Sequence, residues 1–106
     1  MNEQRFTWQV PVAHPAFAGH FPGHPILPSV VLLDRVVFLA QTGLATDRGV
    51  GRGDWVVSQA KFLSPVGPGE ALDFVLSPDA RGGWRFAVAG ADGRAVASGS
   101  LGEKAA

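Results

Sequence analysis

The chain has 106 residues, 46% of them hydrophobic, with nine basic and nine acidic residues and no cysteine. This length suits one compact domain over residues 1–106, small enough that self-association would help to cover its core. Zero net charge argues against nucleic acid as a main partner, and the lack of cysteine excludes disulfides, a thiol nucleophile and a cysteine-based zinc site. In chain order, Met1–Arg5 is polar and carries no apolar signal core, so a cytoplasmic location is expected. Arg5–Val12 alternates, with Phe6, Trp8 and Val10 on one face and Thr7 and Gln9 on the other, which predicts a strand ending near Pro11.

The stretch from Phe17 to Asp34, FAGHFPGHPILPSVVLLD, starts as a Gly/Pro-rich loop and runs into the most apolar segment of the chain. Pro22, Gly23, Pro25 and Pro28 make a stiff loop around His20, a setting that suits a positioned base. A histidine satisfied by backbone hydrogen bonds fits the same residues. His14, His20 and His24 share this loop, but the prolines break the helical spacing a metal pair would need, so no metal site is expected. The helix should start near Ser29, with Ser29 as its cap, and end at a Gly43 C-cap. From Val30 to Ala40 only Asp34 and Arg35 are polar, so the helix should be buried on all sides, yet too short to span a bilayer. Asp34 has only Val30, Val31, Val37 and Phe38 at helical contact spacing, and Arg35 should point elsewhere. Asp34 therefore needs a partner from another part of the fold, a watery cavity or another chain; a structural Asp that caps a backbone group or faces solvent fits equally.

Leu44–Gly53 reads as a turn-rich connection, and its Gly49-Val50-Gly51-Arg52-Gly53 run neither follows a predicted strand nor opens a helix, so no nucleotide role is expected. Strands are predicted at Trp55–Leu63, Ala71–Leu76, Trp84–Ala89 and Arg94–Leu101, with breaks at Pro65–Gly69 and Pro78–Gly83. Asp92-Gly93 predicts a tight hairpin turn, and Gly102–Ala106 a frayed tail. One strand, one helix and four further strands predict an α+β fold, a curved antiparallel sheet wrapped around a central buried helix.

The run His20-Phe21-Pro22-Gly23, Pro25-Ile26-Leu27-Pro28, then an apolar helix with Asp34 fourteen positions after the histidine, resembles the signature of hotdog-fold 3-hydroxyacyl-[acyl-carrier-protein] dehydratases. Ala60-Lys61-Phe62, Pro65-Val66 and Pro68-Gly69-Glu70 resemble a second segment of that family, and Phe6–Gly19 the strand and loop before its signature. The similarity is greatest to the short dehydratases of aryl-polyene-type pigment pathways and covers nearly the whole chain. Asp34 stands where one branch has Glu and another, which also isomerises the double bond, has Asp. Ser29 stands where the family usually has Gly.

The resemblance implies a single hotdog domain that dimerises edge to edge, with two sites at the interface. Each would take the loop histidine of one chain and the helix carboxylate of the other. It further implies a hydro-lyase, without cofactor, acting on a carrier-protein-bound 3-hydroxyacyl thioester in fatty acid or polyene biosynthesis. His20 would abstract the C2 proton. Asp34, its acidity weakened by apolar surroundings, would protonate the departing hydroxyl. The Ser29 N–H would hold the thioester oxygen, and Phe21, Gly23, Leu33 and Phe62 would contact substrate. Phe21, Leu33 and Phe62 also fit a plain core. Arg48, Arg52 and Lys61 are available near a carrier-docking mouth. Two other classes remain open, a hotdog thioesterase and a non-catalytic acyl-binding subunit.

Overall fold

The computed structural model describes residues 3–17, 26–46, 49–50, 55–80 and 82–103. His20, Phe21 and Gly23 lie outside them, as do His24, Arg48 and the Gly51, Arg52 and Gly53 of the glycine run. The elements are β1 (Gln4–Gln9), α1 (Ser29–Gly43), β2 (Ala45–Thr46), β3 (Gly49–Val50), β4 (Trp55–Phe62), β5 (Ala71–Pro78), β6 (Trp84–Gly90) and β7 (Ala95–Glu103). Five strands form one antiparallel sheet in the order β1-β5-β6-β7-β4. The first strand and the first long strand after the helix therefore occupy opposite edges, and the connection between them carries α1 across one face. No helix among the described residues is long and apolar enough to cross a membrane.

Alternation sets the two faces of this sheet. Phe6 pairs with Phe74, Trp8 with Leu72, Phe74 with Val88 and Leu76 with Phe86. These residues face the helix, while Thr7, Asp73 and Arg85 fall on the other face. The helix contributes Leu32, Val36, Leu39 and Ala40 to a core with Leu72, Phe74, Leu76, Phe86, Val88 and Leu101. The α+β architecture of one central helix against an antiparallel sheet is the one read from the sequence. Burial of the helix differs: within one chain α1 is covered on one stripe only, because a single sheet has one face to offer it.

The ends of the elements differ from expectation for local reasons. The helix cap is Pro28, with no side-chain cap bond, and Ser29 is the first helical residue rather than the cap. The helix closes through the Leu44 N–H donating to the Ala40 carbonyl at 3.3 Å. Gly43 remains helical, and its role is space: a Cβ there would stand 2.6 Å from the Phe6 ring. The connection after the helix includes a two-residue antiparallel ladder, Ala45 with Val50 and Thr46 with Gly49. The β6–β7 turn is centred on Ala91-Asp92, one residue earlier than expected, closed by the Gly93 N–H to the Gly90 carbonyl at 2.9 Å. Gly93 follows at φ +86°, the left-handed position glycine fills at no steric cost. Gly102 and Glu103, expected to fray, pair with Val56 and Trp55 at the end of β7.

Residues 64–70 form a hub. The Leu27 N–H donates to the Val66 carbonyl at 2.8 Å, the Val10 N–H to the Glu70 carbonyl at 2.8 Å, and the Gly69 N–H to the Val10 carbonyl at 2.9 Å. The hub is held by Glu70, whose carboxylate accepts from the Gly67 N–H and from Arg94, both at 2.7 Å. Arg94 also donates to the Pro65 carbonyl at 3.2 Å. Desolvation pushes the Glu70 carboxyl up, but the Gly67 N–H and the Arg94 guanidinium outweigh it and hold the group below its usual range.

Two outcomes follow from these contacts. Gly43→Ala should lower stability by about 1–3 kcal/mol in denaturant melts, and trimming Phe6 to alanine in that background should remove most of the added penalty. Glu70 is depressed in the folded state, so its contribution is present at neutral pH and is lost as pH falls through the carboxylate range. Glu70→Gln should cost about 1 kcal/mol at neutral pH and flatten that part of the acid unfolding curve.

Candidate functional site

Pro28, in extended geometry with ψ 144°, stops the preceding chain and starts α1. Its carbonyl accepts from the Val31 and Leu32 N–H groups at 3.0 and 3.4 Å. The N–H groups of Ser29 and Val30 find no acceptor among the described residues, as expected for the first turn of a helix. They mark the positive end of the helix dipole, suited to a developing negative charge. This end opens on a groove of about 310 Å³ whose walls include Ile26, Leu27, Ser29, Leu32, Phe62 and Val66. Ser29 and Phe62, both expected at the substrate, are thus together, and Phe62 is 44% exposed. Leu33 packs half-buried against the core.

Asp34 lies elsewhere on the helix. Val30, Asp34 and Phe38 follow one another at steps of four and form one outward stripe. All three are exposed in the single chain, Val30 at 69% and Phe38 at 45%. The acid therefore lies between two exposed apolar side chains, which is the pattern of a covered surface rather than a solvated one. Beside the stripe is a second groove of about 290 Å³, lined by Trp8, His14, Val31, Asp34, Arg35 and Phe38. Asp34 and Ser29 are five residues apart, about 140° around the helix, which explains why they open on different grooves.

Arg35 departs from expectation. It does not turn away from Asp34 but lines the same groove, with its guanidinium 4.7 Å from the ring centres of both Trp8 and Phe38. Its Nε is buried without a hydrogen-bond partner, and burial lowers the pKa of the group. No carboxylate pairs with it among the described residues. The cation is instead held between two aromatic faces. His14 also enters this groove. It sits before the short 3₁₀ turn Pro15–Phe17, and its Nδ1 accepts the Ala16 N–H at 3.0 Å. Sequence reading considered His14 only as a metal ligand and gave Arg35 no place at the site. Arg35 takes its partners from β1 and α1, and His14 meets the groove from the turn after β1, so no local spacing announces the cluster. Among the described residues no group of three potential metal ligands comes together.

Lys61 falls on the other face of the sheet, in a trough of about 560 Å³ with Gln59, Arg85, Ser98 and Ser100. Strand alternation puts it opposite to Phe62, its neighbour in β4.

Comparison with known proteins places these grooves in context. The family model described as ApeI-like, ApeI dehydratase, matches residues 1–100. The 3-hydroxyacyl-[acyl-carrier-protein] dehydratase FabZ of Rhizobium rhizogenes is 38% identical over 95 residues, covering 83% of this chain and 60% of that protein. The chain spans about half to two-thirds of the length of the curated relatives it matches. The dehydratase heterocomplex ApeI:P from Xenorhabdus doucetiae superposes with a TM-score of 0.75 at 25% identity, covering 94% of this chain and 85% of that one. An uncharacterised protein from Erwinia carotovora superposes with a TM-score of 0.72 at 29% identity, covering 95% and 83%.

The stacking of Arg35 yields a direct measurement. Arg35→Ala should lower stability by about 1–2 kcal/mol in denaturant unfolding, through lost ring contacts and lost stem packing. An unchanged midpoint would mean that the sandwich contributes nothing to the fold.

Proposed function

The chain belongs to the ApeI-like dehydratase family, and from that premise we infer that it dehydrates a 3-hydroxyacyl thioester, carried on an acyl carrier protein, to the trans-2-enoyl thioester. It works as a cytoplasmic dimer and takes no cofactor. His20 removes the C2 proton as a neutral imidazole. Asp34 gives a proton to the C3 hydroxyl, which leaves as water. Charge gathering on the thioester oxygen is met by the Ser29 N–H at the positive end of α1. Phe21, Gly23, Leu33 and Phe62 contact the acyl chain.

The observation that carries this reading is the position of Asp34. It lies in an outward apolar stripe, while the Ser29 amide opens on a different groove of the same chain. One chain thus offers two half sites, and each needs a complement. In the proposed dimer a second copy would supply both complements at once, its two-fold axis setting the Ser29 groove of one chain against the Asp34 groove of the other. The free edge of β4 and the exposed Val56 and Leu63 give such a dimer an apolar seam.

A mixed assembly with a different hotdog chain is the second reading, favoured by the heterocomplex formed by the similar protein of Xenorhabdus doucetiae. A purified chain that is monomeric and inert alone would move the assignment there.

His20→Ala and Asp34→Asn should each reduce hydration of 2-enoyl thioesters by about 10² or more while assembly persists. Co-expression of the two variants should restore about a quarter of the wild-type rate, since half the dimers are mixed and each has one intact site. No recovery in a verified mixed dimer would confine the chemistry to one chain. Turnover retained in both single variants would remove the assignment of these residues.

A further inference from the structure

Among the polar groups of the Asp34 groove that the chemistry above does not use is the His14 imidazole. Its orientation is fixed from both sides. The His14 N–H donates to the Pro11 carbonyl at 3.2 Å and the Phe17 N–H to the His14 carbonyl at 3.0 Å, which holds the backbone. The Nδ1 atom accepts the Ala16 N–H at 3.0 Å, and the Phe17 ring meets the imidazole edge-on, centroids 6.3 Å apart. A ring nitrogen that accepts a hydrogen bond carries no proton, so the neutral ring has its proton on Nε2. Nε2–H is then a fixed donor without a partner among the described residues.

We propose that His14 is a substrate-binding residue that donates its Nε2–H to the oxygen on C3 of the substrate, beside the Asp34 carboxyl. This rests on the dehydratase reading and extends it. A hydroxyl oxygen has two acceptor positions. Asp34 transfers its proton to one, and His14 fills the other, which fixes the direction of the lone pair that Asp34 protonates. As the C3–O bond breaks, the same donor holds the departing water. Arg35 lines the groove too, but its guanidinium is stacked between Trp8 and Phe38 and serves as wall. The two histidines therefore have different work. His20 must accept a proton from carbon, whereas the His14 nitrogen that could accept one is already occupied.

The proposal gives an asymmetric kinetic signature. A 2-enoyl thioester has no oxygen on C3, so in hydration His14 orients only the incoming water. His14→Phe should lower kcat for hydration by about 10–100-fold with KM unchanged. In dehydration the hydroxyl is present in the ground state, so KM should rise as kcat falls, and kcat/KM should drop by the same factor in both directions. His14→Gln, whose amide N–H reaches close to the Nε2 position, should recover to within about fivefold of wild type. Nitrogen-detected NMR of the intact protein should find His14 in the Nε2–H tautomer. Wild-type kcat/KM in His14→Phe, no recovery in His14→Gln, equal KM effects in the two directions, or an Nδ1–H tautomer would each overturn the proposal. Asp34→Asn separates this failure from that of the parent reading. If it is inert while His14→Phe is fully active, only the role of His14 falls; if the wild type itself does not hydrate enoyl thioesters, both fall.

Discussion

The hub at residues 64–70 is the constraint on which the candidate site depends. The chain from Pro11 to Ile26 leaves β1 and returns to the start of α1, and both of its ends are tied to this one segment. Val10 is bonded to Gly69 and Glu70 on one side, and Leu27 to Val66 on the other. The clamp is itself held by charge, through Glu70 bridging the Gly67 N–H and Arg94. Arg94 belongs to the turn between β6 and β7 and reaches 24 residues back to Glu70. The sheet thus holds the hub through the Glu70–Arg94 pair and through Ser64, whose N–H and hydroxyl donate to the Val96 and Ala95 carbonyls. This gives a physical reason for the second motif. Pro65 and Gly69 shape the segment, Val66 and Glu70 supply the acceptors, and Gly69 at φ +80° turns the chain so that its N–H meets Val10.

The helix shows the second constraint. A sheet of five strands covers one stripe of α1, and Leu32, Val36, Leu39 and Ala40 fill it. The opposite stripe of Val30, Asp34 and Phe38 is also apolar apart from Asp34, and in one chain it stays exposed. Leaving Val30 and Phe38 partly exposed forgoes a share of the burial free energy that side chains of this size provide, of order 1.5–3 kcal/mol each when fully buried. In the dimer proposed above a second surface restores that stabilisation. An ionisable group within that surface is then moved from solvent into a partly apolar setting by assembly alone. Under that proposal stability and chemistry use the same contact, and the active arrangement need not exist in a lone chain.

Period and pattern were enough to read the strands, the helix and the inner face of the sheet, because Phe6, Trp8, Leu72, Phe74 and Leu76 alternate as half-buried strands must. What the pattern could not show is whether an apolar residue is covered by its own chain or by another. The helix read as buried all round is the result, since hydropathy records a need for cover and not its source. Gly43 was assigned a conformational role where the true constraint is the Phe6 ring, a contact between residues 37 positions apart. Arg35 was sent away from Asp34 because adjacent helical residues diverge by about 100°. A long side chain folds back across that angle when two aromatic faces offer it a seat. The clustering of His14 with Asp34 depends on β1 leading its following turn over α1, and nothing local in either segment encodes that.

Ser29 is, with Asp34, one of two points at which the chain departs from the signature it resembles, and the geometry bears on what the departure costs. A glycine is required where φ is positive or where a Cβ would strike a neighbour. Ser29 meets the first condition nowhere, because it is the first residue of a right-handed helix. Its side chain is exposed, at the rim of the groove that its amide faces. The amide proton is supplied by the backbone and is indifferent to the side chain. The substitution therefore keeps the donor and adds a hydroxyl at the mouth of the groove. In the proposed dehydratase its effect would fall on which acyl groups enter, by size and polarity, rather than on the charge the helix terminus can stabilise.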